Sequence, residues 1–354
     1  MAKLNVTGLK PVTPTKQNYF KEKLKMKKLS AILLSLVLCL SFAACGKSEN
    51  KTKTDKSEYK VGIIQYMSHP SLDNCYKGIV EALDESGIKY TADYQTGSSN
   101  SADSDCVNFA KNMVASKCDV IFAIATPAAK AAFAATDDTD IPVIFCAVND
   151  PVASELVESM EKPGYACTGT SDVLDLEAQV DLIQSMQPEA KKIGILYTSS
   201  EDNSISNLKK FKDICGKRGL TVVDKAVQGA SDIPAAAEDL ASKVDCINNF
   251  TDNNVVNNLS VVLSAAEKNN IPVYGSEEEQ VKNGCLASMS IDYKALGKVT
   301  GNMAADVLKG KDASKMAVKT ISEATPLVNT DVLSKLKMTM PEKYSSAQTV
   351  TTNK

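Results

Sequence analysis

The sequence predicts an α/β protein of two doubly wound parallel-sheet lobes with a ligand cleft between them. From Glu58 onward, short apolar runs rich in β-branched residues alternate with stretches whose apolar residues recur every three or four positions. That alternation is typical of βαβ units around a parallel sheet. The unit also recurs, because KVGII at 60–64 returns as KIGIL at 192–196 and IPV at 141–143 returns at 271–273. Two such matches at nearly one offset predict two lobes of about 120 residues each.

The predicted elements follow one another along the chain. Near-continuous apolar runs such as 120–125 predict strands that are buried on both faces. The predicted strands are 60–65, 89–95, 119–125, 141–147, 192–198, 220–227, 245–251 and 271–275. The predicted helices are 72–86, 103–117, 127–136, 175–187, 202–218, 232–243, 254–268 and 293–309.

The N-terminal region predicts export and anchoring rather than a folded domain. Lys27, Lys28 and the apolar stretch 29–44 have the charge and length of a secretory signal, and the stretch is shorter than the roughly 20 residues of a membrane span. Ala43-Ala44 before Cys45 resembles a bacterial lipobox, which predicts a lipid anchor on Cys45; a plain signal peptide with an incidental cysteine is the alternative. The expected segments are a leader extension or start-site artefact (1–25), a lipoprotein signal peptide (26–44), and the lipidated Cys45 with a flexible, apolar-free tether (45–58).

Composition and charge exclude several classes of function. Residues 45–354 keep 32 of the 40 basic and 42 of the 43 acidic residues, and this net charge of −10 argues against nucleic-acid binding. The single histidine, His69, cannot supply a multi-histidine zinc site or a metalloprotease helix. No nucleophile-elbow, Walker A or dinucleotide-binding motif points to an enzyme. We therefore predict no catalytic residue, no metal site and no cofactor.

Eight cysteines follow Cys45, and none forms a Cys-x-x-Cys pair. Several stand within apolar runs, so we expect buried free thiols, with a disulfide framework as the alternative. Their positions are 75, 106, 118, 146, 167, 215, 246 and 285.

Residues directly after the predicted strands are the candidate ligand contacts. Ligands of open parallel sheets bind beyond the carboxyl ends of the strands, and two facing sheets place the site in the cleft between them. The candidate segments are 65–71, 126–128 and 149–151 in the first lobe, and 198–204, 251–254, 276–277 and 290–293 in the second lobe or near its return crossing.

An ordered set of motifs, spread over about 59–341, resembles one known family. The motifs are VGIIQ (61–65), HPSLD (69–73), AIATPAA (123–129), VNDPV (148–152), GTSD (169–172), KKIG (191–194), TDN (251–253) and IDY (291–293). Together they resemble the ABC-transporter substrate-binding lipoproteins of the tryptophan/tyrosine uptake type. The resemblance implies the type I periplasmic-binding-protein fold and an aromatic amino acid as ligand, with tyrosine slightly favoured over tryptophan or phenylalanine. It also implies an ABC permease with its ATPase as partners and a lipid-anchored, extracytoplasmic location on the bacterial membrane.

The resemblance also implies how the chain divides. The first lobe would comprise 59–168 and 293–317, the second lobe 169–292 and 318–341, and a polar tail 342–354. Two alternatives for the function stay open. One is a surface adhesin that contacts a host cell, alone or in addition to transport, and the other is a binder of a different small ligand such as a sugar or nucleoside.

An amino-acid ligand would need groups for both of its charges. Thr126, before Pro127 at a helix start, is expected to hold the α-carboxylate, since exposed amides there favour an anion; a routine helix cap is the alternative. The α-ammonium needs a shielded carboxylate, for which Asp252 and Asp292 are the leading candidates and Asp150 the third.

The remaining candidates surround these groups. Ser199, Ser200 and Asn203 form the equivalent helix entrance in the second lobe and could grip the carboxylate on closure. Gln65 or His69 could meet a phenolic hydroxyl, although a loop histidine is also often merely solvated. Completing the predicted set are Tyr197 as a stacking wall, or alternatively a core residue, and the strand-end residues Asn149 and Asn253.

Overall fold

The computed structural model describes residues 56–321 and 324–353. The expectations for the leader (1–25), the signal peptide (26–44), Cys45 and the tether up to residue 55 fall outside the described residues. Within the described ranges, no helix is both long enough and apolar enough to cross a bilayer.

Helices and strands alternate through most of the described chain. The strands are β1 (Tyr59–Gln65), β2 (Tyr90–Thr96), β3 (Val120–Ile124), β4 (Val143–Cys146), β5 (Cys167–Ser171), β6 (Lys192–Thr198), β7 (Thr221–Val227), β8 (Cys246–Asn248), β9 (Val273–Tyr274), β10 (Ala287–Ser290), β11 (Lys319–Thr320), β12 (Thr325–Asn329) and β13 (Gln348–Val350). The helices are α1 (Pro70–Glu85), α2 (Ala102–Ala115), α3 (Thr126–Ala135), α4 (Leu176–Met186), α5 (Asp202–Lys217), α6 (Ile233–Ala241), α7 (Asn253–Asn257), α8 (Leu259–Lys268), α9 (Glu278–Lys282), α10 (Tyr293–Leu308) and α11 (Thr330–Lys335).

The two lobes share one strand order. The first lobe has a six-stranded parallel sheet in the order β11-β5-β4-β3-β1-β2, and the second has a four-stranded parallel sheet in the order β7-β6-β8-β9. The order β2-β1-β3-β4 therefore recurs as β7-β6-β8-β9. The predicted doubly wound α/β class is confirmed, and the repeat seen in the sequence is a repeat of topology.

Each lobe has its own hydrophobic core around its central strands. All five residues of β3 are buried, as expected for a strand covered on both faces. On one face of the first sheet, α1 and α10 pack with their backbones in contact. A Cβ atom at Gly78 would lie 2.1 Å from the carbonyl oxygen of Lys294, and one at Gly297 would lie 2.1 Å from that of Cys75. Neither position can accept a side chain without moving the helices apart.

Three segments of the described chain connect the lobes. Two of them follow β5 and β10, at residues 172–175 and 291–292, and of the third, after β11, only residues 321 and 324 are described. The hydroxyl of Tyr293, the first residue of α10 directly after the second connection, donates to Asp172 in the first connection. This bond places two buried polar side chains where the lobes meet.

Besides several elements that were not predicted, the structure differs from the sequence analysis in three places. Strand β5 spans residues 168 and 169, where the lobes were expected to divide, and pairs with β4 in the first sheet. The expected helix 254–268 is broken between α7 and α8, where the Asn258 side chain donates to the Asn254 carbonyl and competes with the helical bond pattern. Part of the expected polar tail is ordered, because β13 pairs with β12 and Tyr344 is buried.

All eight cysteines of the described residues are buried free thiols, as the apolar runs around them predicted.

Candidate ligand-binding site

A small cavity lies between the lobes. The first lobe contributes His69, Ser71, Leu72, Ala125, Thr126, Ala147, Asn149 and, at the start of α10, Tyr293; the connection after β5 contributes Asp172; the second lobe contributes Asn203, Thr251, Asn253, Val256, Glu277 and Gln280. The site thus lies at the carboxyl ends of the strands, in the cleft that two facing parallel sheets predict.

Two strands of the first lobe reach the cavity through strained turns. Ala125 follows β3 with φ of 80°, and Ala147 follows β4 with φ of 58°. Left-handed backbone at a residue other than glycine costs of order 1 kcal/mol and is concentrated at functional sites. The turn at Ala125 leads directly into α3, whose first amides have no acceptor within the helix. The buried Thr126 and the partly buried Pro127 stand at that start, as the sequence analysis expected.

Several buried polar atoms of the cavity wall have no hydrogen-bond partner. They include Nδ1 of His69, Oδ1 of Asp172 and Oδ1 of Asn203. An unsatisfied buried polar group costs about 1–3 kcal/mol, so most proteins avoid it. Three at one cavity indicate a site built to be completed by a polar ligand.

The charge of the wall is acidic. Burial raises the pKa of Asp172 to about 6 and that of Glu277 to about 7. Among the described residues that line the cavity there is no lysine or arginine. Glu277 is already engaged, since its oxygens accept from the amides of Glu279 and Gln280 at 2.7 and 2.8 Å. Asp172 accepts from Tyr293 through one oxygen only, so it is the carboxylate that can still take a cationic group.

His69 and Asn253 meet across the cleft. Nε2 of His69 lies 3.3 Å from Oδ1 of Asn253, and Nδ2 of Asn253 donates to Glu201 at 2.7 Å. Burial lowers the pKa of His69 to about 4, against the weaker opposing effects of Asn253 and Asp73. The imidazole is therefore neutral at physiological pH.

Further contacts across the cleft hold the lobes together. Thr251 donates to Asn149 at 3.0 Å inside the cleft. At the rim, Lys210 forms an ion pair with Asp150 at 2.6 Å, and Lys130 pairs with Asp202. The described structure is therefore a closed form.

The structure brings five of the twelve predicted ligand residues to the cavity: His69, Thr126, Asn149, Asn203 and Asn253. It does not bring Gln65, Asp150, Tyr197, Ser199, Ser200, Asp252 or Asp292 there.

The two leading candidates for the ammonium are occupied elsewhere. Asp252 is fully buried beneath the cavity wall, where its oxygens accept from Thr198, Ser204 and the amide of Val255. Asp292 is exposed and caps α10 by accepting from the amides at 294 and 295. Asp150, the third candidate, is held by Lys210 and Ser206 at the rim.

The other absent residues also have local roles. The buried Gln65 donates to Asp73 and to the carbonyl of Met67. Tyr197 packs against the core of the second lobe, and the amide of Ser199 donates to the Val227 carbonyl. Ser200 lines a separate, open polar cavity.

Sequence reasoning assigned no role to Asp172, the most informative residue of the site. It follows β5, whose sequence CTGTS lacks the apolar run that marked the other strands, so its strand was not predicted. The signal that could have identified Asp172 is its position as the last residue of GTSD, one of the motifs that resemble the family. Glu277 lay in a candidate segment but was not chosen.

Comparison with known proteins identifies the family. A model of the ABC transporter substrate binding protein family matches residues 60–351. The chain belongs to this family. The substrate-binding protein is also 36% identical, over 327 residues, to the tyrosine-binding protein of Clostridioides difficile (strain R20291), which covers 89% of this chain and 94% of that protein. Family, fold and the role of a transporter's substrate-binding component are thus shown, and such components act outside the cytoplasm.

Two solved structures are similar to the substrate-binding protein over 83% of its chain and the whole of theirs. One is the ABC domain in complex with L-Trp from Streptococcus pneumonia, with 37% identity and a TM-score of 0.80. The other is a ligand-free, open substrate-binding protein with adhesive properties from Clostridium difficile, with 36% identity and a TM-score of 0.63. At nearly equal identity, the present structure is closer to the ligand-bound form, in agreement with its contacts across the cleft.

Proposed function

We propose that this substrate-binding protein captures a free aromatic amino acid, with tyrosine favoured over tryptophan and phenylalanine, and presents it to an ABC permease. The observation that carries the proposal is the buried, unshared oxygen of Asp172 in a cavity whose lining has no basic side chain. That oxygen suits an α-ammonium group. The similarity to one protein named for tyrosine and to another bound to L-Trp supports the aromatic side chain.

The cavity has a group for each part of such a ligand. Asp172 takes the ammonium, and the free amides at the start of α3, with Thr126, take the carboxylate. Leu72, Val256 and Tyr293 supply apolar surface for the ring. The Tyr293 hydroxyl stays on Asp172 and keeps that carboxylate oriented.

Ligand binding favours closure because both lobes and the connecting segments contribute to one cavity. An open form would expose Asp172 and the start of α3 to solvent, and the ligand then shifts the equilibrium toward the closed form. The closed form is the one that would dock on the permease. The ATPase of the transporter would then drive import of the ligand.

The N-terminal signals complete the proposal. A lipid on Cys45 would hold the protein at the outer face of the cell membrane through the 45–58 tether. One similar protein has adhesive properties, so contact with a host cell is an additional candidate role. Comparing the adherence of a deletion strain with that of the parent strain tests this role.

Calorimetry on protein stripped of ligand tests the function. We expect heat of binding with tyrosine, tryptophan or phenylalanine and a Kd of micromolar or better, which corresponds to about 8 kcal/mol. The other amino acids, ribose and nucleosides serve as competitors of different chemistry. Absence of binding to every aromatic amino acid, or tighter binding of ribose or a nucleoside, would overturn the proposal.

A further inference from the structure

One chain of hydrogen bonds ends at the cavity on the only histidine of the sequence. It runs from Glu201 to Asn253 and then to His69. His69 and Asn253 line the cavity, whereas Glu201 lies behind it in the second lobe and is 1% exposed. The order of these bonds decides which nitrogen of the imidazole carries the proton.

Glu201 is the acceptor in each hydrogen bond that follows, although burial and the neighbouring Asp252 raise the pKa of its carboxyl to about 8. Its Oε2 receives the amide of Asn253 at 3.0 Å, the Asn253 side chain at 2.7 Å and the Asn203 side chain at 3.1 Å. Its Oε1 receives the amide and the side chain of Asn254 at 3.2 and 3.3 Å. With donors on both oxygens, the carboxylate fixes the side chain of Asn253 with its nitrogen toward Glu201.

The orientation of Asn253 in turn fixes the tautomer of His69. Because Nδ2 of Asn253 donates to Glu201, its Oδ1 faces Nε2 of His69 and accepts from it. In a neutral imidazole only one nitrogen carries hydrogen, so Nδ1 of His69 has a lone pair and no proton. That nitrogen is buried, has no partner in the protein and belongs to a side chain that is 7% exposed.

We propose that His69, held as the Nε2–H tautomer by Asn253 and Glu201, selects aromatic amino acids whose ring carries a hydrogen-bond donor. The phenol of tyrosine and the indole of tryptophan each present such a donor, and phenylalanine presents none. This inference rests on the proposed function, with Asp172 taking the ammonium and leaving Nδ1 of His69 for the ring. Phenylalanine leaves the buried nitrogen unsatisfied, which is the strongest way for a site to reject an analogue of similar shape.

Binding measurements on the purified protein test the selection. We expect the Kd for L-phenylalanine, and for 4-fluoro-L-phenylalanine, to exceed that for L-tyrosine at least tenfold. In His69→Leu the ratio should fall below threefold, because the acceptor is gone. The variant Asn253→Ala frees the imidazole to take either tautomer and should narrow the ratio, whereas Asn269→Ala, at the end of α8 and away from the cavity, should leave it unchanged.

The outcomes separate the two proposals. Equal affinity of wild-type protein for tyrosine and phenylalanine would leave the proposed function standing and overturn the role of His69. Absence of binding to any aromatic amino acid would overturn both.

Nitrogen NMR tests the tautomer without any substitution. The sequence has one histidine, so a sample labelled with ¹⁵N-histidine and purified without a histidine tag gives one imidazole to observe. With tyrosine bound, we expect a protonated Nε2 and an unprotonated Nδ1, whose resonance differs between the tyrosine and phenylalanine complexes. A proton on Nδ1 in the tyrosine complex, or identical Nδ1 resonances in the two complexes, would overturn the proposal.

Discussion

Asp172 and Asp252 are both buried carboxylates, but they differ in what their oxygens contact. Asp252 accepts four hydrogen bonds from the second lobe, two of them from backbone amides. Asp172 accepts from Tyr293 alone and keeps one oxygen without a partner. A buried carboxylate with all its bonds made stabilises its own lobe, and one with an open position is available for a ligand.

The variant Asp172→Asn is expected to weaken binding of the aromatic amino acid at least tenfold. It removes the negative charge but keeps the size of the side chain, and truncating one partner of a buried charge pair costs about 2–5 kcal/mol. Calorimetry measures the loss, and Asp292→Asn is the matched control, because Asp292 is exposed and only caps α10. Loss of affinity in Asp292→Asn but not in Asp172→Asn would show that Asp292, as expected from the sequence, binds the ammonium group.

Affinity is expected to fall as the pH drops below about 6.5, because the closed form holds His69 neutral. The closed-state pKa of about 4 lies below the ordinary value of about 6.5, so the contribution to closure is complete above 6.5 and is lost as the pH falls toward 4. Between pH 7.5 and 5.5 this effect weakens binding about tenfold. Protonation of Asp172, with its pKa of about 6, acts in the same direction.

The two titrations can be separated by measuring Kd against pH for wild type and His69→Leu. The wild-type loss of affinity should exceed that of the variant by about tenfold over the same interval. Parallel pH profiles would show that His69 is already exposed in the bound form.

The sequence predicted those site residues that directly follow a recognisable strand. His69, Thr126 and Asn149 were found because each follows a strand whose apolar run was visible. The distinction between Asp172 and Asp252 could not be found in this way, since it depends on which donors reach each oxygen in three dimensions.

At the scale of elements, the strongly periodic segments were predicted to within two residues at most ends. Strand β6 was predicted with its observed bounds, and α10 differs by one residue at its end. The missed elements are short or polar, such as β5 and β13, and they form only because a partner strand is already in place. Local sequence cannot contain that information.

The contact between α1 and α10 leads to a prediction about stability. Gly297→Ala should lower the free energy of unfolding by about 2 kcal/mol, because the new methyl group meets the Cys75 carbonyl and overpacking typically costs 1–3 kcal/mol. Gly216→Ala is the matched control in another helix, where no atom outside the local backbone lies within 4 Å. The control should be neutral or up to about 1 kcal/mol more stable, since alanine restricts the unfolded chain.

Urea denaturation of the two glycine variants measures both free energies. An equal effect of the two substitutions would mean that α1 and α10 are less closely packed in solution than in the structure.

At the scale of the whole molecule, the ion pairs at the rim assist closure. Lys210 and Asp150 belong to different lobes and are partly exposed, so their pair contributes less than about 1 kcal/mol. We expect Lys210→Gln to weaken ligand binding about twofold at low ionic strength. The difference from wild type should vanish in about 1 M salt, where the Debye length is about 3 Å.

A matched control exists in the same helix. Lys217 pairs with Asp213 one turn away within α5, so Lys217→Gln removes the same charge without touching the cleft. Its affinity should equal that of wild type. Equal losses in the two variants would indicate an effect of net charge rather than of closure.

Each of the eight buried thiols can report how often the structure around it opens. Five of them stand in or beside the first lobe's elements and three, Cys215, Cys246 and Cys285, in the second lobe. A thiol reagent can reach each sulfur only when its surroundings open, so the rate at which each peptide becomes modified reports the local opening of its own lobe. Ligand that closes the cleft should slow both sets of rates, and mass spectrometry of the labelled peptides would show which lobe opens first.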